Sequence, residues 1–327
     1  MLNKSVGSGS WIRARERLAR RVLSRCVWAV CMPVLGGCSA AHGTLPDAGG
    51  AAGSSTGMLL VVEPWGTTVD AGGGASCALA RGDELLCWGA SYAARIRNAT
   101  DPPPGRYRAV SVGGDHGCVL QFDGALRCWG DDSSGQRARS DYAYAGVSTS
   151  ENATCGVRTD GTLDCWGTLS TYGAVAPPGR YRFVALGAVH ACGIRADRST
   201  ICWGLSIHRQ TKAPAGRFVE LALGWQFSCG LTAEGQLACW GNPPAGIEEM
   251  QGPFRHLAAA HASLCALDEG GFVRCSGLPP HTAKPAPKRV KFKELGAGEK
   301  HFCGRTDAGE ILCWGDGWEA MDVPSGL

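Results

Sequence analysis

Residues 113–130 read GGDHGCVLQFDGALRCWG, and this stretch decides the fold. Phe122-Asp123-Gly124 has the composition of a three-residue hairpin loop, in which a type I turn is followed by a glycine in the left-handed region. Counting outward from this loop places Cys118 directly opposite Cys128, at a non-hydrogen-bonded pair of an antiparallel ladder. Because the Cα atoms of such a pair lie within disulfide range, the stretch predicts a β-hairpin bridged by a disulfide.

The same unit occurs seven times along the chain. Fourteen of the 17 cysteines fall into seven pairs with the ten-residue spacing of Cys118 and Cys128. Successive first cysteines are 36 to 41 residues apart, a period typical of propellers and solenoids. Paired thiols in this number predict an oxidising compartment and one disulfide within each repeat. The predicted disulfides are Cys77–Cys87, Cys118–Cys128, Cys155–Cys165, Cys192–Cys202, Cys229–Cys239, Cys265–Cys275 and Cys303–Cys313.

Small residues and tryptophans recur at fixed positions around the cysteines. A small residue such as Gly113 stands five positions before each first cysteine, which predicts a tight turn or a close approach of two backbones. Each second cysteine is followed by Trp-Gly, except that Ser276 replaces the tryptophan after Cys275. We interpret the tryptophans as part of the core of each repeat.

The hairpin loop departs from glycine in two repeats. Five of the seven repeats have glycine at the position of Gly124, whereas Asp83 and Arg198 stand there in the first and fourth repeats. Aspartate tolerates the left-handed backbone region that this position requires. Arg198 is expected to strain the loop or to change the turn.

Composition favours an all-β fold. The 48 glycines and 17 prolines indicate many turns, and a hydrophobic fraction of 44% suffices for a core. Of the 32 basic and 29 acidic side chains, seven basic and one acidic lie in residues 1–37, which leaves 25 basic and 28 acidic in the rest of the chain. This acidic remainder argues against a basic patch for nucleic acid or an anionic membrane surface.

Residues 1–37 have the layout of a secretory signal. Arg13 to Arg25 form a basic stretch, and the apolar run that follows is well short of the roughly 20 residues of a membrane-spanning helix. Leu35-Gly36-Gly37-Cys38 resembles a bacterial lipoprotein processing site, and Ser39 after it resembles an outer-membrane address. The sequence therefore predicts an outer-membrane lipoprotein with the lipid on Cys38.

The alternative is an ordinary signal peptide with an incidental Cys38, which would give a periplasmic or secreted protein. Residues 38–57 are small and polar, so they predict a flexible linker. Residues 58–327 are predicted to form the repeat domain.

The second repeat contains sequence motifs of a known family. They are Ala109-Val110-Ser111-Val112-Gly113-Gly114-Asp115-His116-Gly117-Cys118, Asp123-Gly124, Cys128-Trp129-Gly130 and Gly135-Gln136. These residues resemble the repeat of regulator-of-chromosome-condensation proteins, in the cysteine-rich form of exported bacterial members. The resemblance covers about residues 66–327 and implies a seven-bladed β-propeller with four-stranded blades, closed without exposed sheet edges. Residues 58–62 are expected to pair with the last blade and fasten the ring.

The resemblance also bears on activity. Nuclear members of the family act in nucleotide exchange on a small GTPase, but an exported protein would not meet that substrate, so the activity is not carried over. Exported members that resemble β-lactamase inhibitory proteins hold another protein on the propeller face. No residue-by-residue interface match supports that particular target in this chain.

No catalytic constellation, cofactor motif or metal site emerges from the sequence. The closely spaced Cys-x-x-Cys pairs typical of zinc and redox sites do not occur. His116, His190 and His301 each stand two positions before a first cysteine, and this shared register favours packing between blades over metal ligation. His256 and His261 lie nearby in the sixth repeat.

One rim of the ring is the predicted binding surface. Turns between first and second strands, and loops between third and fourth strands, are expected there, and the repeats differ most in these segments. Trp225 is the strongest candidate because it replaces small or polar residues, and large aromatics dominate interface energetics; the alternative is that it fills the central channel. The predicted residues are Asp115, Glu151, Asn152, Trp225, Gln226, Glu299 and Lys300 in the turns, with Tyr92, Arg95, Arg97, Arg137, Arg139, Tyr142, Tyr144, His208 and Arg209 in the loops.

Two classes of function follow. The sequence favours a binding or scaffold protein whose partner is another protein or an envelope glycan. The alternative is an enzyme, a hydrolase or lyase of envelope carbohydrate, with its residues on the same rim.

Overall fold

Seven small antiparallel sheets make up the protein. The computed structural model describes residues 65–89, 101–137, 140–168, 175–277, 284–316 and 321–325. Within these ranges each repeat forms one three-stranded sheet, with its strands side by side in chain order. The predicted all-β, seven-bladed propeller is confirmed. The signal segment, the linker and residues 58–62 lie outside the described residues.

Each blade has an inner, a middle and an outer strand. The inner strands are β1 (Val69–Ala71), β4 (Ala109–Val112), β7 (Tyr144–Thr149), β10 (Tyr181–Leu186), β13 (Phe218–Leu223), β16 (Phe254–Ala259) and β19 (Phe292–Ala297). The middle strands are β2 (Ala75–Leu79), β5 (His116–Leu120), β8 (Ala153–Arg158), β11 (His190–Arg195), β14 (Phe227–Thr232), β17 (Leu264–Asp268) and β20 (His301–Thr306). The outer strands are β3 (Leu85–Gly89), β6 (Leu126–Gly130), β9 (Leu163–Gly167), β12 (Thr200–Gly204), β15 (Leu237–Gly241), β18 (Val273–Ser276) and β21 (Ile311–Gly315). A short 3-10 helix spans Ile247–Glu249.

All seven predicted disulfides form within their blades. Cys118 lies directly opposite Cys128 in the ladder between β5 and β6, as the hairpin register predicts. The two Cα atoms are 4.1 Å apart in this pair and 4.0 to 4.1 Å apart in the other six. The loop glycine also has the expected conformation, with a φ of 86° at Gly124. Arg198 keeps the same turn at a φ of 69°, so of the two outcomes expected for it the strained backbone is the one observed.

The prediction of four-stranded blades is wrong for the described residues, which show three strands in every sheet. The segment that follows one blade packs instead on the outer strand of the next. Lys284 makes a single β-bridge with Gly315 of blade 7, and the Gln210 carbonyl accepts a hydrogen bond from the Trp240 indole of blade 5. These segments contain several prolines, which have no N–H to donate, so they do not extend into a ladder.

Blade 7 meets blade 1 and closes the ring. The Glu299 N–H donates to the Gly72 carbonyl at 3.3 Å, and the next junction repeats this contact from Gly73 to Gly113 at 3.1 Å. A Cβ added to Gly298 would lie 2.3 Å from the Gly72 oxygen. The predicted close approach of backbones at the small residues is therefore confirmed. No helix among the described residues has the length and apolar character to cross a membrane.

Candidate binding site at the channel mouth

The two ends of the ring carry different connections. The turns between inner and middle strands surround one mouth of the central channel, and we call this the turn end. The hairpin loops between middle and outer strands lie at the opposite end of the strands, the hairpin end. The chain leaves each outer strand at the turn end and must cross to the hairpin end to begin the next inner strand.

A small concavity of about 90 Å³ lies at the channel mouth. Its wall is largely backbone, because most residues around it are small. Neighbouring turns are joined by backbone hydrogen bonds, from the Trp225 N–H to the His261 carbonyl and from the His261 N–H to the Glu299 carbonyl, both 3.0 Å long. The central residue of each turn lines the mouth. These residues are Gly73, Gly114, Glu151, Ala188, Trp225, His261 and Glu299.

Trp225 stands at the mouth with 46% of its surface exposed. Its ring packs edge-on against the His261 ring, with centroids 4.8 Å apart and an interplanar angle of 85°. The side chain therefore lines the opening without being buried in the channel. A large aromatic held this way on an otherwise small-residue ring is available to a ligand.

Two carboxylates at the mouth have no partner among the described residues. The side chains of Glu151 in blade 3 and Glu299 in blade 7 make no hydrogen bond or ion pair there. Burial raises the pKa of Glu151, and the Glu299 charge raises it further, while His261 lowers it. The His261 Nε2 atom is buried and has no hydrogen-bond partner in the described part of the chain. Unsatisfied groups of this kind are costly unless a ligand or water meets them.

The third residue of each turn serves a structural purpose. In five of the seven blades, the part of the chain that the structure describes shows its carbonyl accepting the N–H of the residue that follows the outer strand, as in Asp131 to Asp115 and Asp316 to Lys300, both 2.9 Å. Asn152 and Gln226 accept in the same way. This bond holds the start of the following loop at the turn end.

The predicted loop residues are divided between the two ends. Arg137 lies in a loop at the turn end, where it pairs with Asp132 at 3.4 Å. His208 and Arg209 belong to the loop that packs on blade 5 and are exposed. Tyr92, Arg95, Arg97 and Arg139 lie outside the described residues.

Tyr142 and Tyr144 were predicted on the same rim as Trp225, and this placement is wrong. Tyr144 begins β7 at the hairpin end, where its hydroxyl donates to Asp164 at 2.7 Å. The Arg158 guanidinium lies over the Tyr142 ring, 3.4 Å from its centroid, at the same end. The loop has already crossed the blade before it reaches these residues.

A pattern shared by the repeats distinguishes core aromatic residues such as Tyr144. A tyrosine or phenylalanine stands eleven positions before the first cysteine in six of the seven repeats, and each of these six side chains is buried. The six are Tyr107, Tyr144, Tyr181, Phe218, Phe254 and Phe292. This periodicity identifies Tyr144 as core.

The predicted packing of three histidines between blades is confirmed. The Nε2 atoms of His116, His190 and His301 lie 2.8, 2.7 and 2.8 Å from the hydroxyls of Thr154, Ser228 and Ser76 in the next blade. Burial lowers the pKa of each of these histidines to about 4. They are neutral structural groups at physiological pH.

The channel below the mouth is lined by inner strands. Burial raises the pKa of Asp70 to about 7, although the Val112 N–H donates to its carboxylate at 2.9 Å. His256 lies between the Glu220 carboxylate at 2.8 Å and the Leu295 carbonyl at 3.0 Å. Burial alone lowers its pKa, but Glu220 and Leu295 outweigh that effect and raise it to about 9. These groups connect neighbouring blades.

In the described ranges no cluster of three histidine, cysteine, aspartate or glutamate side chains has the geometry of a metal site. The histidines of the blade junctions and His256 already have protein partners. The mouth, with Trp225, His261, Glu151 and Glu299, is therefore the best candidate site in these ranges.

Comparison with known proteins agrees with this architecture. The family described as the Regulator of chromosome condensation (RCC1) repeat matches residues 107–136 and 218–246, in the second and fifth units. Two of the seven units therefore match the regulator-of-chromosome-condensation repeat. No curated protein sequence matches it.

Solved propellers share the fold of these repeats. The ectodomain of the Physcomitrella patens receptor kinase CR4 is 24% identical, with a TM-score of 0.64 over 76% of this chain and 72% of that one. The CRINKLY WD40 ectodomain of the Arabidopsis thaliana receptor kinase ACR4 is 21% identical, with a TM-score of 0.65 over 78% and 96%. Prp20p from Saccharomyces cerevisiae is 16% identical, with a TM-score of 0.47 over 76% and 71%.

Proposed function

We propose that this repeat protein is exported, is anchored in the outer membrane through a lipid on Cys38, and binds a partner protein at the turn end of its ring. The observation that carries the binding role is Trp225, a half-exposed aromatic fixed on His261 at the channel mouth. Aromatic residues in such positions contribute a large share of interface energy. Seven disulfides in a chain with an export-like first segment support the location.

The burial and the hydrogen-bond partners of the histidines favour binding over catalysis. A general base must be within hydrogen-bond reach of a reacting group, with a pKa near the working pH. His116, His190 and His301 are buried in blade junctions with lowered pKa values, and His256 is held by Glu220. At the mouth, the His261 Nε2 and the Ser150 hydroxyl are each buried without a hydrogen-bond partner among the described residues, so this imidazole nitrogen is not paired with that hydroxyl as a general base would be.

Site-directed cross-linking of the full-length protein in its own cell envelope tests the binding role. A photo-reactive residue at Asn152 at the turn end is expected to capture one partner, which mass spectrometry identifies, whereas the same residue at Asp197 at the hairpin end is not. With the partner purified, Trp225→Ala should weaken binding about tenfold. Phe122→Ala removes an aromatic that is 63% exposed at the hairpin end and should leave the affinity unchanged. Equal affinities of wild type and Trp225→Ala would rule out the turn end as the interface.

The anchor has a separate test. Intact-mass analysis of membrane-extracted protein should give a chain that begins at Cys38 and carries a lipid, and Cys38→Ser should release the protein from the membrane fraction. A free Cys38 thiol on a soluble wild-type product would contradict lipidation without affecting the binding role.

A further inference from the structure

We infer that the channel mouth receives an arginine side chain from the partner protein. The inference rests on the proposed binding role and assigns the chemistry of the contact. Three adjacent turns supply Trp225, His261 and Glu299, which are connected by backbone hydrogen bonds, and Glu151 belongs to the same mouth. The site is therefore built on the rigid end of the ring.

The negative charge of the channel mouth favours a cationic ligand. The Glu151 and Glu299 carboxylates have no protein partner among the described residues, and burial, followed by the charge of Glu299, raises the pKa of Glu151. A cation between them relieves the repulsion between the two charges and replaces solvent with charge-assisted hydrogen bonds. An anionic ligand would meet the same two carboxylates and be excluded.

The small volume of the concavity favours the end of a side chain as the group that enters it. The concavity of about 90 Å³ has room for about three water molecules at about 30 Å³ each. Pockets for drug-sized molecules measure about 300 to 1,000 Å³, so this concavity alone would enclose only a small part of such a ligand. A guanidinium group on an extended stem fits it.

The donors and the aromatic ring select arginine over lysine. A guanidinium carries five N–H donors in one plane, so it can donate to more than one acceptor of the mouth at once. It also stacks on a tryptophan face, which an ammonium does less well because it is more strongly hydrated. Trp225 and the unpartnered His261 Nε2 supply these two features.

Blocked peptides test the inference directly. Full-length protein, solubilised in detergent, is titrated with N-acetylated, C-amidated Gly-Arg-Gly and with the same peptides carrying lysine or citrulline. The readout is the NMR signal of the Trp225 indole N–H, assigned with Trp225→Phe. The arginine peptide should saturate this signal. Citrulline, which has nearly the same shape without the charge, should bind at least tenfold more weakly, and lysine several-fold more weakly.

Variants of the mouth should follow the same chemistry. Glu151→Gln and Glu299→Gln should each weaken the arginine peptide about fivefold, and Trp225→Ala about tenfold. Glu234→Gln makes the same charge change at the hairpin end and should have no effect. Binding should also weaken on acidification as Glu151 becomes protonated, and Glu151→Gln should flatten that dependence. Equal affinity for arginine and citrulline, or no saturable binding, overturns the inference.

The two proposals fail in different ways. If Trp225→Ala abolishes partner binding while Glu151→Gln and Glu299→Gln leave it unchanged, the arginine contact is wrong and the turn end remains the interface. If the arginine peptide binds at the mouth but Trp225→Ala does not alter partner affinity, the proposed interface is wrong.

Discussion

The junction between blades 7 and 1 and the junction between blades 4 and 5 share one contact and differ in the rest. At both, a histidine Nε2 lies close to a serine hydroxyl of the next blade, 2.8 Å for His301 and Ser76 and 2.7 Å for His190 and Ser228. The first pair is 225 residues apart in the chain and the second is 38 apart. Closing the ring therefore costs more chain entropy than joining successive blades.

Beside the shared contact, the closing junction is polar where the internal one is apolar. Arg305 pairs with Glu294 at 3.2 Å and donates to the carbonyls of Leu79 and Thr68 in blade 1 at 2.6 and 3.2 Å. The equivalent positions of blade 4 hold Ile194 and Phe183. Ile194 and Phe183 contribute apolar packing to the junction between blades 4 and 5. Blades 7 and 1 are far apart in the chain, and directional hydrogen bonds specify which of their surfaces pair.

The largest effect expected of a single substitution comes from breaking the polar cluster. Arg305→Met leaves the Glu294 carboxylate without its ion-pair partner and removes the hydrogen bond to the Leu79 carbonyl, in a region where the Arg305 and Glu294 side chains are only 17% and 19% exposed. Loss of one partner of a fully buried pair costs about 3 to 5 kcal/mol, and because this pair is partly buried the free energy of unfolding in urea should fall by about 3 kcal/mol, at the lower end of that range.

A double variant separates charge loss from junction geometry. Arg305→Ile with Glu294→Phe transplants the apolar pair of blade 4 and should recover part of the stability, because no charge is left unpaired. A loss below about 1 kcal/mol for Arg305→Met would mean that the cluster is not what closes the ring.

The histidine contact that the two junctions share should make the stability of the protein depend on pH in the acid range. The folded pKa of about 4 for His116, His190 and His301 lies below the ordinary value of 6.5, so the unfolded chain binds protons first as pH falls. Stability should therefore decrease from pH 6.5 towards pH 4, by about 2 kcal/mol per histidine at pH 5. Asp70 acts in the opposite direction over this range, because its folded pKa is raised and its contribution is lost as pH rises through about 7.

Urea unfolding at pH 7 and pH 5 measures this effect. His301→Gln and His190→Gln each remove one titrating group, and each should reduce the acid loss by the same amount because the two contacts are alike. Unequal recovery would contradict the view that the two histidine contacts are alike. His256 should add a separate loss as pH rises from 6.5 through about 9, since its folded pKa is raised.

The sequence predicts the repeated framework well and the junction chemistry poorly. Cysteine spacing determines the hairpin register because a disulfide restricts which residues face each other. Arg305, by contrast, occupies a position that is aliphatic in the other six repeats, so it could have been recognised as an exception. Its partners could not, because Thr68 and Leu79 are 237 and 226 residues away.

The candidate site was predicted in part for the same reason. Turn residues such as Trp225 and Glu299 follow from their repeat positions, since every turn has the same length. Tyr142 lies in a linker of variable length, and the sequence does not say where that linker crosses from one end of the blade to the other. The backbone bonds that hold Trp225, His261 and Glu299 together connect different repeats, which no local pattern records.

The smallest expected effect concerns a local difference between the same two blades. Arg198 of blade 4 holds a φ of 69° at the loop position where Gly309 of blade 7 holds 92°. A left-handed backbone destabilises a residue with a side chain by about 1 kcal/mol. Glycine avoids this strain but loses more conformational entropy on folding, which offsets part of the gain. Arg198→Gly should therefore raise the free energy of unfolding by about 0.5 kcal/mol, and Gly309→Arg should lower it by a similar amount. If Arg198→Gly is destabilising instead, the arginine side chain stabilises the hairpin end by more than its backbone strain costs.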